Sequence, residues 1–163
     1  MRWVSKRIVL GIFPIAFAVG MIDGVLPYLH LYILSIINNA TAYDLGVYTT
    51  YMNIGKIILN PILLFTVSYL VGRGIDVGSN LRSTVLSSFL GCFVGEYIGT
   101  LCGTGFMFVL LNQYERNYFL YTAIPQIFTS AFYSVSMFFV SFSGIAITNF
   151  RKNKTKTNEL RAE

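Results

Sequence analysis

Asp23, Lys56 and Glu96 each stand well inside an apolar stretch long enough to cross a bilayer. A charged side chain at that depth costs roughly 3 kcal/mol on insertion scales. Such a group turns to a counter-charge, a water-filled cavity or the protein interior. One lysine and two carboxyls from three stretches suit a buried ion pair, a proton relay or route for a small polar solute, or recognition of a charged residue on a partner subunit. Lys56 would pair with Asp23 or with Glu96. The remaining carboxyl would then be protonated or hydrogen-bonded, because burial disfavours an uncompensated charge. His30, the only histidine, shares a helical stripe with Gly20, Asp23 and Pro27. A lone histidine suits a hydrogen bond or a proton shuttle better than a metal site. With Gln126, beside Pro125, the candidate midplane set is Asp23, His30, Lys56, Glu96 and Gln126.

Other chemistries find no support in the residue pattern. A Gly-rich phosphate loop, a Gly-x-Ser-x-Gly elbow and a His-Glu-x-x-His zinc pattern are all missing from the sequence. No catalytic role, metal or cofactor is therefore expected. Cys92 and Cys102 lie on one predicted helix about 15 Å apart by helical rise, too far for a mutual disulfide. Both are read as buried small apolar residues.

The elements that must position these groups are four apolar stretches: Ile8 to Ile37, Val47 to Val71, Ser83 to Leu111 and Tyr121 to Phe150. Each reaches the ~20 residues that a membrane helix needs. Apolar residues make up 55% of the chain and charged ones 12%, about half the charged share of a soluble domain. No alternating ten-residue segments suggest a barrel. The expected fold is all-α: an integral membrane four-helix bundle in one domain over residues 1–150, followed by a basic, flexible tail over 151–163.

Orientation follows from the basic residues. Arg2, Lys6, Arg7, Arg73, Arg82, Arg151, Lys152, Lys154, Lys156 and Arg161 all fall on one side of a four-span chain, and Arg116 on the other. The positive-inside rule places both termini in the cytoplasm. The net charge of +5 thus reports topology, and no nucleic-acid partner is expected.

Proline interrupts the first, second and fourth spans at Pro27, Pro61 and Pro125. In lipid, the carbonyls freed by proline need partners from protein or from water in a cavity. The first span is read as one long helix, kinked or locally unwound over Asp23 to Pro27. A split there would make five spans and put the two basic ends on opposite sides. In the third span, Gly91, Gly95, Gly99 and Gly103 form a ridge that lets another helix approach closely. The partner helix could belong to this chain or to another. Glu96 lies at the edge of that contact. In the fourth span, Ser130, Ser134 and Ser141 share one face and could pack against a neighbour or line a cavity.

The pattern leads to a small membrane protein of transport type, a solute or ion permease subunit, acting as a homo-oligomer or with other membrane subunits. The competing expectation is a non-catalytic assembly subunit that docks through the glycine ridge. The bilayer is the common partner, with anionic headgroups near the basic tail. Four spans with a glycine ridge are too generic to name a family.

Overall fold

The computed structural model describes residues 5–36, 42–74, 81–111 and 113–159. Among them the chain is helical almost throughout, and no strand forms. The elements are α1 (Lys6–Ile36), α2 (Ala42–Gly74), α3 (Leu81–Ser88), a π-helical segment (Phe89–Val94), α4 (Gly95–Leu110) and α5 (Gln113–Glu159). α3, the π segment and α4 run on as one rod, so four rods result. Each is long and apolar enough to cross a membrane.

Helix continues where the sequence suggested interruption. α1 passes through Asp23 to Pro27 without a non-helical residue, so neither unwinding nor a split occurs there. Each internal proline removes one backbone bond and leaves the flanking turns to hold the helix. α5 begins at Gln113, eight residues before the expected start of the fourth apolar stretch at Tyr121. Its Arg116 donates to the carbonyls of Phe108 (3.0 Å) and Val109 (3.2 Å), satisfying the free end of α4. α5 also continues as helix to Glu159, through most of the segment read as a basic tail. No glycine or proline follows Phe150 to stop it.

α1 and the third rod run parallel in a fixed register. Ser87 Oγ accepts the Ser5 N–H at 2.7 Å across a separation of 82 residues. The same offset brings Phe13 to Gly95, Phe17 to Gly99 and Met21 to Gly103. From the other side, Gly20 and Gly24 rest on the backbone at Glu96 and Thr100. The glycine ridge is therefore consumed inside the chain, with α1 as its partner. α2 runs antiparallel to α1 and parallel to α5, joined to α5 by Ser68 and Ser141 at 2.7 Å and by Arg151 and Tyr69 at 3.1 Å.

Two apolar clusters divide the bundle along its length. Ile8, Ile12, Ala16, Leu64, Cys92, Met137 and Ile145 form one. Tyr28, Met107, Leu111, Phe119 and Ala123 form the other. On α1, the third rod and α5, the residues between these clusters include polar ones: Asp23, Glu96, Ser130 and Ser134, all buried. The outer surface is apolar, with Ile57, Leu59 and Ile62 of α2 among the most exposed. Cys92 is buried as expected, whereas Cys102 is exposed, because it lies on the side of α4 turned away from α1.

Candidate functional site

The polar layer is built from α1, α2 and α5, with α4 behind it. Asp23 projects from α1 and is 3% exposed. Lys56 Nζ from α2 stands 3.3 Å from its Oδ2. One turn further along α2, the Asn60 amide donates to both Asp23 oxygens, at 3.1 and 2.9 Å. Lys56 and Asn60 are four residues apart, so they share the face that meets α1. The ion pair is thus Lys56 with Asp23.

α5 completes the enclosure. Tyr133 donates its hydroxyl to the Lys56 carbonyl at 2.8 Å. Its ring lies under the Lys56 ammonium, 4.6 Å from Nζ to the centroid. That distance is within cation–π range. Pro61 has no N–H for the Ile57 carbonyl, the neighbour of the carbonyl that Tyr133 serves.

Next to the pair is a cavity of about 590 Å³. Asp23, Lys56, Gln126, Thr129, Ser130 and Tyr133 supply its polar wall. Leu26, Pro27, Met52 and Ile57 supply the apolar remainder. Its size falls within the range of about 300–1,000 Å³ typical of small-molecule sites.

Glu96 is absent from that wall. It is 1% exposed, within electrostatic reach of Asp23 and Lys56, and beside the Ser134 hydroxyl. Neither Glu96 Oε2 nor Ser134 Oγ completes a hydrogen bond. The π segment ends immediately before Gly95. Such widened turns occur often at functional sites.

Comparison with protein-family models, characterised proteins and solved structures finds no match to this chain.

Of the residues singled out from sequence, Asp23, Lys56 and Gln126 meet at one cavity, and Glu96 lies buried behind it. His30 lies in α1, but its side chain is outside the described residues. Gly91, Gly95, Gly99 and Gly103 seat α1 and so carry the Asp23 face to its partners. Among the described residues, no group of three or more His, Cys, Asp and Glu could hold a metal ion.

Sequence reasoning missed Asn60, Thr129 and Tyr133 as site residues. Asn60 reads as half of an Asn-Pro break, although its spacing from Lys56 was a usable signal. Thr129 and Tyr133 sit in a run of hydroxyls and aromatics that offers no marker of which face turns inward. The Ser130, Ser134 and Ser141 face is buried as a unit. Ser130 lines the cavity, while Ser141 packs by bonding to Ser68.

Proposed function

We propose that this chain is a transport-related membrane component, a solute or ion permease subunit, with the cavity at Asp23 and Lys56 as its polar site. The reading rests on one observation. An open-sided cavity of about 590 Å³ with a lysine–aspartate pair in its wall lies within the apolar spans, toward the ends where the α1 span stops and the α2 and α5 spans begin. Ionisable groups at membrane depth are expensive and mark pathways or binding sites. A purely structural ion pair needs no chamber beside it.

In this reading the four rods span the plasma membrane with both termini in the cytoplasm, because the basic residues gather at that end. Four helices rarely enclose a whole pathway, so the chain works as a homo-oligomer or with other membrane subunits. The exposed apolar face of α2 leaves room for either. The assembly-subunit reading relied on a free glycine ridge, and α1 already covers that ridge.

The test is chemical access. Thr129 is exposed and lines the cavity. In a Cys102→Ser background, Thr129→Cys in intact vesicles should react with a membrane-impermeant thiosulfonate. Tyr121→Cys, at the outer end of α5, serves as the positive control. Labelling of the control alone would show a chamber without an aqueous connection and overturn the reading.

A further inference from the structure

We propose that the cavity takes a small organic cation bearing a primary ammonium group, and that Lys56 holds the same seat with its own ammonium as a tethered surrogate. The inference rests on the reading of the cavity as a solute site and names the class of solute.

The polar groups of the wall are mostly acceptors. A carbonyl can only accept, so a hydroxyl bonded to one must be donating. Thr129 Oγ1 donates to the Gln126 carbonyl at 3.0 Å, and Ser130 Oγ donates to the Ile127 carbonyl at 2.8 Å. Tyr133 donates to the Lys56 carbonyl. All three hydroxyl protons are therefore committed to helix backbone, and what remains at each oxygen is acceptor capacity. Asp23 adds a carboxylate. Pro27 adds a backbone acceptor, since it lacks the N–H that would bond the Asp23 carbonyl. Apart from Lys56, the Gln126 amide is the one uncommitted side-chain donor among the described lining residues. A wall that offers acceptors and few donors suits a ligand that brings donors, and an ammonium brings three.

Charge and shape agree. Among the described residues Lys56 is the sole cation in the wall, and its charge faces Asp23, with Glu96 behind. An anionic solute would meet the Asp23 carboxylate in the wall, and the one lysine there is already engaged by it. The Tyr133 face already accommodates a cation. Leu26, Met52 and Ile57 can receive an aliphatic body.

The seat can change hands. The Lys56 side chain is 22% exposed, against 3% for Asp23. Its four-carbon stem lets the ammonium swing away from the carboxylate. Asp23 would stay in place, because Asn60 holds both of its oxygens independently of Lys56. An incoming ammonium would then restore the pair with Asp23 and the contact with Tyr133, leaving the buried charge balanced throughout.

The experiment uses the full chain in lipid nanodiscs. Binding of butylammonium, butyrate and 1-butanol is measured calorimetrically and corrected with protein-free nanodiscs. Butylammonium should bind the wild type, and butyrate should not. Asp23→Asn should weaken butylammonium binding at least tenfold, and Lys56→Met, which removes the internal competitor, should strengthen it at least tenfold. Should either variant fail to fold, the three-probe comparison on the wild type decides alone. Butyrate binding in preference to butylammonium would overturn the cation inference while sparing the solute site, as would undiminished butylammonium affinity in folded Asp23→Asn. Binding of none of the three would overturn both.

Discussion

Gly99 meets the backbone of Phe17 so closely that a Cβ at Gly99 would overlap the Phe17 carbonyl oxygen. Backbone cannot rotate aside as a side chain can, so the contact sets the spacing of α1 and α4. We expect Gly99→Leu to lose about 3 kcal/mol or more of stability, at the upper end for overpacked sites. Gly105 has nothing within 4 Å of its would-be Cβ, and Gly105→Ala should hold or gain up to about 1 kcal/mol. Thermal unfolding in detergent, followed by size exclusion, separates the two. Equal stability for both variants would refute the packing account.

Lys56 and Asp23 should behave as a unit. Lys56→Met leaves Asp23 without its counter-charge, and breaking a buried pair costs about 3–5 kcal/mol. Partial exposure of Lys56 argues for the lower end of that range. Combining Lys56→Met with Asp23→Asn should recover part of the loss. A double-mutant cycle on unfolding free energy checks this, and strict additivity would show that the two side chains do not interact.

Tyr133→Phe removes the hydroxyl that serves the Lys56 carbonyl and keeps the ring beneath the ammonium. The expected loss is about 1 kcal/mol, the usual net worth of one hydrogen bond. Tyr133→Leu removes both contacts and should lose more. If the two variants match, the ring contributes nothing measurable.

Glu96→Gln should fold with stability within about 1 kcal/mol of wild type. The amide is isosteric and neutral, and its NH₂ can donate to the Ser134 oxygen that lacks a partner. Glu96→Lys would place a fixed charge in the same buried space and should abolish the folded monodisperse species on size exclusion. Reconstituted flux with Glu96→Gln then separates a transport role from a structural one. Lost flux with an intact fold assigns Glu96 to transport, and an unfolded variant assigns it to packing.

The two cysteines report how the third rod is rotated. A lipid-permeant maleimide should modify Cys102 and leave Cys92 unreacted in the folded protein, since one is exposed and the other fully buried. Mass spectrometry of the labelled chain reads the result, and rapid modification of Cys92 would contradict the rotation described.

The existence of four long helices was legible before any coordinates, because a run of twenty apolar residues can satisfy its backbone only as a helix once water is excluded. The position of Asp23 and Glu96 well inside apolar helices and the closeness promised by the ridge from Gly91 to Gly103 were equally legible, since both follow from spacing along one chain. Helix rotation and side-chain reach were not, because they arise from packing between segments far apart in sequence. Only the tertiary structure decided that Lys56 pairs with Asp23 instead of Glu96, and that Asn60 secures the same carboxylate. It decided that Tyr133 closes the pair and that the ridge serves α1. It also moved Cys102 outward and extended α5 to Glu159. Composition determines which segments form long apolar helices. The mutual register of the rods, set by glycine contacts with the Phe17 and Met21 backbone, determines which polar groups then face one another.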